Sequence, residues 1–375
     1  MNSSKIIQHV VEHILGTLNS KFSSITKDLV GLDSPMEELI TSYLDHENRV
    51  CMLGIYGQGG IGKTTLARAI YETVCNRFEV SGFIDDIREV SKKQGLNQVQ
   101  KQILAQIPDE RNIDIWDVDE GVDRIKNRLC HKKVILVLDD VNELDQLKKL
   151  AGHHDWFGLG SWIIITSRDK KLLEMHGVDE IYKLNELNDH DALELFCLKA
   201  FKNKQPAEGF MHLCQDVIKY CKGLPLAINV IGSSLAGWPM NMWKSALYGL
   251  SEDSTAMKVH DILKISYDSL EEMWKEIFLD IACFFCGKMR DQVIEILEIC
   301  GFNARSGISV LLEKSLITMV NNKLLMHDLL REMGEGIVCR ESVEPGERSR
   351  LWLCEDLFHV MVNNTVRIYS RGKIE

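Results

Sequence analysis

Gly57-Gln58-Gly59-Gly60-Ile61-Gly62-Lys63-Thr64-Thr65 stands between the apolar run CMLGIY (51–56) and the helix-like stretch LARAIYETV (66–74). The spacing is G-x-x-x-x-G-K-[ST], with a strand before it and a helix after it. In that context Gly57, Gly59, Gly60 and Gly62, with Ile61 between them, let backbone N–H groups turn inward around phosphates. Lys63 reaches the outer phosphate oxygens, and the Thr64 hydroxyl can hold Mg²⁺.

Outward from this loop the pattern alternates. Short apolar runs recur at GFIDDI, KVILVL, SWIIIT and EIYKL, separated by helical stretches such as LNQVQKQILAQI and VDRIKNRLC. Strands apolar along their whole length, alternating with helices, predict an α/β P-loop NTPase domain whose parallel sheet is covered on both faces. After Asn188 the strands stop, and DALELFCLKAF, FMHLCQDVIKYC and PLAINVIGSSLAG read as helices. Further helices lead into SLITMV-NN-KLLMH, where Asn321 and Asn322 between two β-rich runs mark a tight hairpin. Helices followed by a hairpin predict a winged-helix domain. At the amino end Ile6, Ile7, Val10, Val11, Ile14, Leu15 and Leu18 share one helical face. The expected organisation is a linker helix over 1–27 that follows a missing upstream domain, a P-loop domain over 28–187, a helical domain over 188–257, a winged-helix domain over 258–352 and a tail over 353–375.

The bulk numbers narrow the function. A chain of 375 residues suggests two or three domains, and 45% hydrophobic with 26% charged residues is a soluble, globular composition. A formal charge of -11 speaks against a chain that coats nucleic acid. The start, MNSSKIIQHV, lacks a signal peptide's apolar core, and no run is long enough to cross a bilayer. Eleven scattered cysteines then read as reduced thiols of the cytoplasm or nucleus. Cys283 and Cys286 form a CxxC inside an apolar run with no second pair, which predicts core cysteines rather than a redox or zinc site.

Three further places carry chemistry. The strand KKVILVLDD ends in Asp139 and Asp140, two carboxylates that repel unless a cation or polar ligand lies between them. Beside a P-loop, Asp139 would hold Mg²⁺ and Asp140 would position the attacking water, the one catalytic assignment the sequence offers. Arg168 follows the strand SWIIIT, where it can sense a γ-phosphate; a surface arginine serving the next helix fits the composition equally well. Pro225, in CKGLPLA, reads by itself only as a helix start. His327-Asp328 interrupts the leucines of NNKLLMHDLL, with Asp328 suited to a helix N-terminus.

The ordered set GQGGIGKTT, KVILVLDDV, SWIIITSRD, CKGLPLA, FLDIACFF and LLMHDLL resembles the nucleotide-binding (NB-ARC) region of plant disease-resistance receptors, signalling ATPases of the STAND class. The likeness runs from about Asp28 to Trp352. Asn142 after LDDV, FLDIACFF and RSRLW (348–352) give it the character of receptors fronted by a Toll/interleukin-receptor (TIR) domain. The resemblance implies an ADP/ATP switch in innate immune signalling, closed with ADP, open and self-associating with ATP, and at most slowly hydrolytic. It implies that Leu29, Val30 and Gly31 cover the adenine and that Gly62, Lys63, Thr64 and Thr65 grip the phosphates. Asp139 and Thr64 would hold Mg²⁺, Arg168 would sense the γ-phosphate, Pro225 would pack near adenine and ribose, and His327 would bond the β-phosphate of ADP with Asp328 orienting it. TIR and leucine-rich-repeat domains accompany the region in such receptors, and neither is visible in this sequence. The alternatives are a turnover ATPase, for which Asp139 and Asp140 suffice, and a winged-helix DNA-binding ATPase of the origin-recognition type. For the latter, the helix before the hairpin offers only Arg305 and Lys314 against Glu313.

Overall fold

A computed structural model describes residues 29–45, 48–107, 115–251 and 259–363. The amino-terminal stretch 6–18 and the closing VRIYSRGKIE lie outside the described residues. The chain divides into two compact units, with the boundary between Glu186 and Leu187.

The first unit is built on five strands: β1 Cys51–Tyr56, β2 Val80–Ile84, β3 Val134–Val141, β4 Trp162–Ser167 and β5 Glu180–Lys183. Their order is β2-β3-β4-β1-β5, and every neighbouring pair is parallel. β4 is buried along its whole length and β1 up to Tyr56, as expected of strands covered on both faces. The covering helices include Lys63–Val74, Ile87–Gln94, Leu96–Leu104 and Val118–Leu129. Ile103, Leu104, Ile125 and Leu129 pack with Leu136, Leu138, Ile163 and Ile165 in one core. Helix Asp33–Asp45 is tied to the sheet by Tyr43, whose ring stacks on Trp162 at 4.3 Å and whose hydroxyl donates to the Gly160 carbonyl at 2.7 Å.

The strand order puts β4, not β3, beside β1. Register runs evenly from Cys51↔Trp162 to Tyr56↔Ser167, so the two strands end together. Between β3 and β4 it shifts: Leu138 faces Ile165, but Val141 faces Ser167. The extra residue is accommodated across Asp139 and Asp140, and Asp140 takes a left-handed backbone with φ 53°.

The second unit is helical with one small sheet. Helices Asp189–Phe201, Met211–Cys221, Pro225–Leu235 and Met240–Ser251 come first. Phe196, Phe201 and Phe210 gather around the buried Trp243, with ring centroids 4.9–5.7 Å from it. Helices Val259–Asp268, Glu272–Asp280, Arg290–Ile299 and Ala304–Glu313 then precede the hairpin β6 Thr318–Val320 and β7 Lys323–Leu325. Asn321 and Asn322 both adopt positive φ, 50° and 61°, the backbone a two-residue hairpin turn requires. Helix Asp328–Cys339 follows, and its Gly334 allows close approach to helix Glu272–Asp280: a Cβ there would lie 3.1 Å from the Phe278 ring and 2.8 Å from Ala282.

Within the tail, Cys354–Asn363 is a helix. One feature differs from the sequence expectation. FLDIACFF is not one regular helix: it leaves the α-helix at Asp280 and closes with a π-helical turn over Ile281–Phe285, where the Cys286 N–H bonds the Ile281 carbonyl at 2.9 Å. That turn leaves Cys283 and Cys286 half-buried against the core rather than inside it, and Phe284 exposed. The described residues contain no disulfide.

Candidate nucleotide site

The loop after β1 turns through Gly60 (φ 78°) and Gly62 (φ 102°), left-handed conformations that side-chain-bearing residues rarely adopt. Helix Lys63–Val74 then starts with no side-chain cap at Gly62, and its first internal bond is Leu66 N–H to the Gly62 carbonyl at 2.9 Å. The N–H groups of Lys63, Thr64 and Thr65 therefore precede the helix's own hydrogen-bond ladder, as an anion-binding helix start requires. Gly57 has little spare room: a Cβ would meet the Leu184 carbonyl at 3.0 Å and Ile61 at 3.1 Å. The Lys63 ammonium donates to the carbonyls of Gly57 and Gln58 at 2.9 and 3.0 Å, so it already lies across the loop.

Beside this loop the ends of β3 and β4 form one polar chain. The Thr64 hydroxyl donates to both Asp139 oxygens, at 2.9 and 3.1 Å, and the Thr166 hydroxyl donates to Asp139 Oδ1 at 2.7 Å. Thr166 in turn accepts the Asp140 N–H at 2.9 Å. Asp139 is buried, and that burial pushes its carboxyl up to about 6, with Asp140 and Asp85 adding to the rise and the two threonine hydroxyls opposing it. A buried carboxylate hydrogen-bonded to the P-loop hydroxyl is a donor set suited to a small divalent cation, which takes carboxylate and hydroxyl oxygens together. The residues present fit the group.

Asp140 points elsewhere. Its Oδ2 pairs with Arg88 Nε at 3.0 Å and its Oδ1 with Arg168 Nε at 3.6 Å. Arg88, on the first turn of helix Ile87–Gln94, belongs to no motif of the sequence and is an addition to the site. Leu29 and Val30 are half-buried, and Gly31 turns at φ 77° into helix Asp33–Asp45.

The first unit thus brings together the glycine loop, Lys63, Thr64, Asp139, Asp140 and Arg168. Pro225 and His327 belong to the second unit. Pro225 opens helix Pro225–Leu235 at its first turn, after Lys222 (φ 49°) and Gly223 (φ 68°) reverse the chain. His327 is exposed and caps helix Asp328–Cys339, its Nδ1 accepting the Leu329 N–H at 3.2 Å. The N-cap is therefore the imidazole, and Asp328 stands in the helix's first turn, as expected of an acidic residue at a helix N-terminus. Asp328 pairs with the buried Arg331 at 3.5 Å.

Known proteins carry the same pattern. A profile described as the NB-ARC domain matches residues 32–206, and one described as the Roq1-like winged-helix domain of disease-resistance proteins matches residues 271–342. The chain belongs to the NB-ARC family of plant disease-resistance proteins. It is 43% identical to disease resistance protein RPV1 of Vitis rotundifolia over 93% of this chain and 25% of that protein. It is 41% identical to TMV resistance protein N of Nicotiana glutinosa over 96% of this chain and 32% of that protein. The chain thus spans about a quarter to a third of the length of these relatives. Among solved structures, a STAND protein with a tetratricopeptide-repeat sensor from Pyrococcus horikoshii shows 18% identity and a TM-score of 0.49, over 82% of this chain and 43% of that one. Among the described residues no helix is long and apolar enough to cross a membrane.

Proposed function

We propose that this chain is the nucleotide switch of a plant innate immune receptor, held closed by ADP and opened by ATP. The observation that carries the reading is the P-loop with Thr64 bonded to a buried Asp139 at a strand end, in a chain of the NB-ARC family. Lys63 would bind the outer phosphates, Thr65 and the loop backbone the inner ones, and Leu29, Val30, Gly31 and Pro225 the adenosine part. Thr64 and Asp139 would hold Mg²⁺, which supplies charge neutralisation at the phosphate oxygens when bound. Arg168 would read the γ-phosphate.

His327 suits a phosphate contact for a reason its cap makes visible. Accepting the Leu329 N–H at Nδ1 leaves the proton of the neutral ring on Nε2, so that atom is a donor. Asp140 would position water, but its carboxylate is engaged by two guanidinium groups, which favours slow turnover over efficient hydrolysis. Location in the cytoplasm and nucleus, self-association on opening, and cooperation with TIR and leucine-rich-repeat domains belong to the same proposal.

A nucleic-acid role finds less support. Of the two cations in the helical segment just before the hairpin, Arg305 pairs with Glu298 at 3.1 Å, and Lys314 is half-buried with its ammonium over the Trp238 ring at 5.6 Å. Neither is presented for phosphate contacts.

The purified chain should release ADP on denaturation, and Lys63→Ala should release none. Chromatography of the supernatant checks both. A wild-type chain that carries no nucleotide and binds none in calorimetry overturns the reading, and rapid steady-state hydrolysis would replace the switch by a turnover enzyme.

A further inference from the structure

Two buried thiols of the second unit meet. Cys197 lies on helix Asp189–Phe201 and Cys214 on helix Met211–Cys221, and the two helices pack together. Both residues are 0% exposed, and their side chains hydrogen-bond to one another. The helix pair is closed at its loop end by Phe201 and Phe210, whose rings stand 5.4 Å apart and both pack on the buried Trp243. The thiols are therefore brought together by the packing of two helices and have little room to part. A thiolate on Cys197 would accept the Cys214 S–H, which holds Cys197 below the ordinary thiol range and Cys214 above it. Cys221, two turns further along the same helix and equally buried, is shifted by burial alone. Burial is common to all three thiols, and contact with a second sulfur distinguishes the pair.

We propose that Cys197 and Cys214 are a redox-responsive dithiol, a modification site at which a small hydroperoxide joins the two helices through a disulfide. The Cys197 thiolate attacks one peroxide oxygen, the O–O bond breaks, and the leaving hydroxide takes the Cys197 proton to become water. The Cys214 sulfur then attacks the sulfenic sulfur, the S–O bond breaks, and the second hydroxide leaves as water with the Cys214 proton. Two thiols have lost two hydrogens, and the peroxide has been reduced to two waters. Burial selects the oxidant. Hydrogen peroxide is close to water in size and enters when the helices open locally, whereas a tripeptide such as glutathione needs a far larger opening.

The test is hydrogen peroxide treatment of the full 375-residue chain, then trapping of the remaining thiols with N-ethylmaleimide in denaturant and peptide mapping without reduction. The Cys197 and Cys214 peptides should appear joined, about 2 Da below the sum of the two, and should separate on reduction. Cys221 should be alkylated in the same digest, and Cys197→Ser should leave Cys214 alkylated too. Unfolding the chain before peroxide should lower the yield of the link by about threefold or more, because the fold no longer holds the thiols together. Free Cys197 and Cys214 in a folded chain whose exposed Cys300 and Cys354 are oxidised would overturn the proposal. So would a link from either residue to another cysteine, or an equal yield from the unfolded chain, which would assign the link to closeness in sequence.

Discussion

The Thr64 hydroxyl donates to the Asp139 carboxylate at 2.9 Å, joining the first turn of the P-loop helix to the end of β3. The bond joins two residues 75 positions apart into the proposed metal corner, and burial pushes the Asp139 carboxyl up to about 6, well above its ordinary range. If Asp139 acts through the cation, Asp139→Ala should weaken Mg-ATP by about 10–100-fold and metal-free ADP far less. Titration of both ligands into the purified variant measures this. Equal losses would make Asp139 a structural residue.

His327 and Asp328 separate into two roles. His327→Ala removes a helix cap, costing about 1 kcal/mol of stability, and the proposed phosphate donor as well. Asp328→Val leaves the cap atom in place but takes away one partner of Arg331, at 3.5 Å, which should loosen the turn that carries the imidazole. A charge-assisted contact worth about 1.5–3 kcal/mol, lost from the closed state only, should speed ADP release by roughly tenfold to a hundredfold. Stopped-flow release of a fluorescent ADP reads the rate. A lowered melting temperature with an unchanged rate would leave the pair with capping alone.

Arg350 should be a pillar of the second unit. Its side chain is 2% exposed, with Nε 2.6 Å from Asp280 and one terminal nitrogen 2.8 Å from Glu276. Arg350→Met strands the Asp280 carboxylate in the core and should cost about 3–5 kcal/mol, whereas Arg350→Met/Asp280→Leu should cost much less. Chemical denaturation of the three proteins decides it. A single variant as stable as wild type would mean that the pair contributes nothing.

The thiols should fall into two classes. Cys300 and Cys354 are exposed, whereas burial pushes Cys221 and Cys283 up to about 12. At pH 8 iodoacetamide should label the first pair within minutes and spare the second pair until the chain is unfolded. The sign of the linkage follows. A thiol raised above its unfolded value of about 8.5 contributes stability intact below that pH and lost as pH rises toward 12. Denaturant midpoints should therefore fall above pH 9. Peptide mapping that finds Cys221 alkylated in the folded chain at pH 8 would contradict its burial.

Local chemistry explains what could be read from sequence. The glycine loop, the apolar strands and the Asn321-Asn322 hairpin each depend on a few adjacent residues, and each is found where its pattern lies. Asp139 and Arg168 were legible as strand ends for the same reason. Arg88 was not, because its significance comes from β2 lying beside β3, a pairing between positions more than fifty residues apart. Only the shift of register after Leu138 turns Asp139 toward Thr64 and Asp140 toward the two arginines. The cap on helix Asp328–Cys339 escaped for a different reason: the usual N-cap residues are Ser, Thr, Asp, Asn and Gly, so an imidazole accepting the Leu329 N–H leaves no familiar signal.

β4 occupies the place between β1 and β3, and Thr166 and Arg168 stand two residues apart at its end. One reaches Asp139, on the proposed metal side, and the other Asp140, on the proposed phosphate side. The strand is buried along its whole length, so Thr166 and the residue just past its end share one tightly packed support. If the proposed cation and phosphate contacts form there, a substitution along Trp162–Ser167 that disturbs the packing should weaken both together.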